Sequence, residues 1–183
     1  MAGGDATGAI AAIDAADAHG RDDLRLQREL ASIYADVGDT DRLAPIVARL
    51  QREAPDAPDT HYFAASHAFL QGNLDEALRL ARTLIAQHPD HARAQNLIGA
   101  ALAMQGHVDA ARAAFASSIA ADPRDSGTYV NAGSLELEHG RPDDARRQFA
   151  IALAMDLTSD AARRGLAAAR ELSLISSAPS AAR

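Results

Sequence analysis

The chain has 183 residues, 48% apolar and 23% charged, a balance that excludes a disordered tail and allows a buried core. Its 18 basic residues, all Arg, face 25 acidic ones for a net charge of −7, so binding nucleic acid by counterion release has little to work with. There is no Cys, which removes disulfides, thiol nucleophiles and thiolate metal sites, and no apolar run approaches the ~20 residues of a membrane helix. With 45 Ala and no Lys, helix is the first expectation.

The opening segment, MAGGDATGAIAAIDAADAHG, has no basic leading part and carries Asp5, Asp14 and Asp17, so it does not read as a secretory signal. Behind Gly4, residues Ala9, Ile10, Ile13 and Ala16 fall on one helical stripe. Gly4 also opens a series that continues at Gly38, Gly72, Gly106 and Gly140, each 34 residues from the last and each starting a similar phrase: GDATGA, GDTDRL, GNLDEA, GHVDAA, GRPDDA. Pro55, Pro89 and Pro123 keep the same interval, and so do the small residues Ala31, Ala65, Gly99 and Gly133.

Each 34-residue unit reads as two helices, because apolar residues recur at three- and four-residue steps on both sides of the glycine. In the third unit Leu97, Ile98, Ala101 and Leu102 form the first stripe, and Val108, Ala111, Ala114, Phe115 and Ile119 the second. The periodic Gly is expected in a left-handed turn after the first helix. Three residues later Thr7, Asp41, Asp75, Asp109 and Asp143 are expected to cap the second helix by accepting bonds from its free amides. The periodic Pro is expected to end that helix. The small residues fall mid-helix, where close contact with a neighbouring helix is the expectation; a bulky side chain there would overpack the crossing by roughly 1–3 kcal/mol.

These residues resemble the tetratricopeptide repeat family, whose modules are 34-residue helix-turn-helix units. The resemblance rests on segments such as residues 92–125, with Ile98, Gly99, Leu102, Gly106, Ala111, Phe115 and Pro123 at the family's spacing. Departures are Gln95 where the family often has Trp, Leu43 where a small residue is expected, Pro45 within a second helix, and Leu157 in place of Pro. The expected organisation is an N-terminal half-repeat at 1–23, repeats at 24–57, 58–91, 92–125 and 126–159, a capping helix at 160–173 and a flexible tail at 174–183. Because the pattern begins mid-repeat, the expectation is a piece cut from a longer protein, the other reading being a natural start with a lone capping helix. The fold class implied is all-α, a right-handed superhelical solenoid of stacked antiparallel helix pairs.

No catalytic or metal constellation stands out. His88 and His91 flank a turn, His61 and His67 are six residues apart on one helix, and no HExxH, GxSxG or phosphate-binding glycine loop occurs. The reading is therefore no enzyme, no cofactor and no metal site. In this family the first helix of each unit lines a groove. Carried over residue by residue, those positions are Arg25, Arg28, Ser32, Ala35 and Asp36; Asp59, Tyr62, Ser66, Phe69 and Leu70; Arg93, Asn96, Ala100, Ala103 and Met104; and Gly127, Val130, Ser134, Leu137 and Glu138. The candidate peptide-binding set is Arg28, Tyr62, Ser66, Phe69, Arg93 and Asn96, with Tyr and Arg as the usual energetic anchors; the bland reading of the aromatics is packing between helices. The basic clamp by which one branch of the family holds a peptide's C-terminal carboxylate has no counterpart at the matching positions.

The function implied is a non-catalytic scaffold that binds a protein partner, as a peptide or helical segment, in the groove, without nucleic acid or membrane insertion. The alternatives are an appendage of a larger bacterial enzyme, positioning substrate or dimerising, and a scaffold that self-associates through its terminal helices. Arg-only, Ala-rich usage points to a bacterial source. The compartment stays open, with the cytoplasm favoured and the periplasm retained for a piece of an exported protein.

Overall fold

A computed structural model describes residues 23–177. Among these residues every regular element is a helix: α1 (Leu24–Val37), α2 (Thr40–Glu53), α3 (Pro58–Leu70), α4 (Leu74–Gln87), α5 (Ala92–Met104), α6 (Val108–Ala121), α7 (Ser126–Glu138), α8 (Pro142–Met155) and α9 (Asp160–Ser177). The half-repeat expected over 1–23 lies, apart from Asp23, outside the described residues, as do residues 178–183 of the expected tail. The chain divides into two compact units, Met1–Leu84 and Ile85–Arg183.

The four described periodic glycines all take left-handed backbone, with φ of 74°, 77°, 78° and 70° at Gly38, Gly72, Gly106 and Gly140. A residue with a Cβ is strained there, whereas glycine is not. Each turn lets the next amide bond back to an orphan helix carbonyl, as in Asp39 N to Tyr34 O at 2.9 Å and His107 N to Leu102 O at 2.9 Å. The second helix begins two residues after the glycine, which corrects the capping expectation. The caps at α2, α6 and α8 are Asp39, His107 and Arg141, and Asp41, Asp75, Asp109 and Asp143 sit inside the first turn. There they complement the positive end of the helix dipole. Asp109 and Asp143 also pair with Arg112 (2.7 Å) and Arg146 (3.7 Å).

Pro55, Pro89 and Pro123 stand two residues past the last helical residue of α2, α4 and α6. Helix α8 stops at the same point without a proline. There Asp156 Oδ1 accepts bonds from Thr158 N (2.9 Å) and Thr158 Oγ1 (2.6 Å), and this local turn competes with helix continuation. Pro45 lies within α2, at its sixth residue, and the helix continues past it. The last helix runs four residues beyond the 173 boundary expected from sequence, since LSLIS contains neither Gly nor Pro to break it.

In the first unit Leu30, Ala31, Tyr34, Leu43, Ile46, Val47, Leu50, Phe63 and Ala64 form one buried cluster. Arg42 lies over the Tyr34 ring, with Cζ 5.8 Å from its centroid. Leu43, a departure from the small residue expected, is fully buried there.

In the second unit the small residues of the first helices meet aromatics of the second helices. A Cβ added at Gly99 would lie 2.5 Å from the Phe115 ring, and one at Gly133 would lie 2.9 Å from the Phe149 ring. Phe149 also presses on Gly165 of α9, where an added Cβ would be 2.4 Å away. Ser118 and Thr128, both fully buried, carry hydroxyls 3.0 Å apart; Ser118 donates to Ala92 O (2.9 Å) and Thr128 donates to Asp125 Oδ2 (2.6 Å). Buried hydroxyls are thus satisfied where α5, α6 and α7 meet.

Candidate functional site

Four of the six candidate groove residues fall in the first unit. Arg28 on α1 sets its Nε 3.6 Å from Asp59 Oδ2 on α3, and that nitrogen is buried without a hydrogen-bond partner. Tyr62 is half-buried, packs on the core cluster and meets Phe63 edge-on, with ring centroids 5.4 Å apart at 63°. Part of its surface is therefore committed to packing. Ser66 is buried with its hydroxyl unpartnered, and Phe69 is half-buried.

The other two candidates, Arg93 and Asn96, are half-buried on α5 in the second unit. Asn96 Oδ1 accepts a bond from Asn131 Nδ2 of α7 at 3.0 Å, so the two first helices are joined by a carboxamide pair. Beyond that pair lies a pocket of about 190 Å³ lined by Ala100, Ala103, Met104, Phe115, Asn131, Ser134, Leu135 and Glu138. Five of these, Ala100, Ala103, Met104, Ser134 and Glu138, are positions carried over from the family's groove wall. None of the six candidate residues borders the pocket, although Asn96 touches it through Asn131. Met104 is 64% exposed at its edge, an apolar group left in water. Alanines at 100 and 103 make the hollow, and Phe115, held down against Gly99, makes its floor.

Phe115 also borders a second hollow of about 90 Å³, lined by Arg112, Ala116, Ile119, Ala132, Leu135, Glu136 and Gln148. Glu136 is buried there and accepts bonds from Arg112 Nε (2.6 Å) and Nη2 (3.2 Å), with Arg141 Nε at 3.4 Å. The Glu136 hydrogen bond holds the Arg112 guanidinium above its ordinary pKa, against partial burial. Sequence reading missed Glu136, although a signal was present. It stands in register with Tyr34, Ala68 and Leu102, all buried, so a charge in that column requires a partner.

The histidines serve local structure where their contacts are defined. His91 caps α5, with Nδ1 accepting from Ala94 N at 3.2 Å, and His139 Nδ1 lies 2.8 Å from Leu135 O. Among the described residues no group of three or more His, Asp or Glu is placed to hold a metal ion, and no helix is long and apolar enough to cross a membrane.

The model of a tetratricopeptide repeat matches residues 28–81, 63–126 and 130–173, together well over half of the chain. The chain belongs to the tetratricopeptide repeat family. No curated protein matches it. Among solved structures, a thermophilic tetratricopeptide repeat protein of Thermus thermophilus is similar at 22% identity and a TM-score of 0.70, over 84% of this chain and 83% of that one. The first tetratricopeptide repeat domain of Spaghetti (RPAP3), bound to the HSP90 peptide SRMEEVD, is similar at 15% identity and a TM-score of 0.59, over 64% of this chain and 91% of that one. An O-GlcNAc transferase of Thermobaculum terrenum is similar at 20% identity and a TM-score of 0.59, over 61% of this chain and 22% of that one. These likenesses establish the fold, an all-α helical-repeat solenoid, and the tetratricopeptide repeat assignment makes this chain a protein-interaction scaffold.

Proposed function

We propose that the chain is a non-catalytic tetratricopeptide repeat scaffold, with repeats at 24–57, 58–91, 92–125 and 126–159, that binds a peptide or helical segment along its first helices. The observation that carries this reading is the apolar hollow between α5 and α7, open to water and edged by the exposed Met104. The Asn96–Asn131 pair leaves the N–H donors of Asn96 and the carbonyl oxygen of Asn131 for a ligand backbone, while the hollow takes an apolar side chain. In the first unit, the half-buried Tyr62 and Phe69 supply further aromatic contacts. A peptide held by its C-terminal carboxylate is disfavoured, because the positions of the basic clamp used by one branch of the family are not matched here.

A library of random heptapeptides displayed on phage and selected on the intact chain tests the reading, with affinities of enriched peptides measured by fluorescence anisotropy. Met104→Ala and Asn131→Ala should each weaken binding by about 1 kcal/mol or more, a fivefold loss, and Tyr62→Ala, Phe69→Ala and Arg93→Ala locate any contribution from the sequence-derived set. If all five variants stay within about 0.5 kcal/mol of the parent, the groove assignment is wrong.

A further inference from the structure

We infer that the hollow between α5 and α7 selects a segment in which a Lys or Arg follows or precedes an apolar anchor residue, with Glu138 as the selecting group; this rests on the groove reading above. Met104 and Glu138 occupy the same place on consecutive first helices, 34 residues apart, and bracket the hollow. One edge is thus an exposed thioether and the other an exposed carboxylate, with small apolar residues and the Phe115 ring between them.

Many acidic side chains near the carboxylate are already engaged. Asp109, Glu136, Asp143, Asp144 and Asp160 of the same unit are each paired with an arginine. Arg141, three residues beyond Glu138, is engaged elsewhere, with Nε 3.4 Å from Glu136 and Nη2 2.5 Å from Asp144. Glu138 has no hydrogen bond or ion pair among the described residues. It is also the one charged side chain lining the hollow.

A ligand side chain entering the hollow displaces water from beside that carboxylate. Its attraction to a cation then strengthens, while an acidic ligand is repelled. The chain's net charge of −7 acts in the same sense at longer range. A cationic group on a flexible stem, one or two residues from the anchor, can reach an edge position. An acidic or neutral flank gains nothing there.

The test repeats the heptapeptide selection on the parent, Glu138→Gln and Glu138→Lys, followed by anisotropy on matched Leu-anchored peptides with Lys or Glu flanks. On the parent, Lys and Arg next to an apolar residue should be enriched at least twofold over the unselected library. The Lys-flanked peptide should bind roughly two to five times more tightly than its Glu twin, a ratio of the size expected for exposed charge pairs. The ratio should shrink at 0.5 M NaCl and fall to within twofold in Glu138→Gln, and Glu138→Lys should reverse it. A basic preference that survives Glu138→Gln, or a parent that enriches neutral or acidic flanks, overturns the inference. Ala103→Trp, which fills the hollow, and the milder Met104→Ser separate it from the groove reading. If both abolish binding while flank charge has no effect, the groove stands and the role of Glu138 falls. If neither changes binding, or no peptide is enriched, both readings fall.

Discussion

Gly165→Ala sets two opposing effects against each other within one helix. Alanine is the better helix former by about 1 kcal/mol, so propensity alone stabilises the variant. Against this, the new methyl carbon would lie 2.4 Å from Cε1 and Cζ of Phe149 and 2.7 Å from Cε2, far inside the ~3.5–4.0 Å of an ordinary carbon contact. The ring cannot withdraw: it is 1% exposed, and it already sits within 2.9–3.0 Å of where a side chain would begin at Gly133. Overpacking in a core costs roughly 1–3 kcal/mol, and a ring pinned between two helices belongs near the top of that range. The net effect is a loss of about 1–2 kcal/mol, or a Tm lower by roughly 2–8 °C for a chain of this size. Thermal melts followed by circular dichroism, with urea titrations to check that the m-value is unchanged, measure it. Phe149→Leu in the Gly165→Ala background should cost less than in the parent, because the smaller side chain relieves the clash. A variant as stable as the parent, or more stable, would refute the argument and show that propensity wins.

Removing Arg112 should be costly in a different way. Arg112→Met leaves Glu136 buried with only the more exposed Arg141 beside it, so a loss of about 1–3 kcal/mol is expected in urea titration, discounted for the one-third exposure of Arg112. The pH dependence of Asp156 follows from its bonds. Its carboxyl is held below the ordinary aspartate pKa, chiefly by the Thr158 hydroxyl and then by the Thr158 amide. A depressed pKa contributes stability above the unfolded-state value that disappears as pH falls through the folded-state value, so the effect is confined to acid below about pH 4. Carboxyl titration by NMR should show Thr158→Val moving Asp156 back toward the ordinary value, and an unmoved midpoint would sink that assignment.

The 34-residue period made the helix pairs, the left-handed glycines and the helix-ending prolines legible, because each depends on backbone conformation that a single residue type enforces. Side-chain capping was less legible. A periodic Asp three residues after the turn reads as a cap, yet the helix starts earlier than that reading needs, and the carboxylates land within the first turn. Gly165 escaped notice because its smallness answers to Phe149, a neighbour outside its own repeat, whereas Gly99 and Gly133 were picked out as a pair. The hollow beside Met104 was half legible. The lining positions follow from helix register, but its depth depends on the Phe115 ring seated against Gly99 and on alanines that leave space, and volumes of that kind are not periodic.

The seat of Phe149 is shared between α7, through Gly133, and α9, through Gly165. Half of that socket belongs to the final helix, so a chain shortened after Ser159 would keep its repeats in name and lose one wall of the aromatic's housing. A ring that is 1% exposed would then face solvent. Shortened versions made for crystallisation or binding work should accordingly become sticky at that end, and retaining α9 is the simplest safeguard.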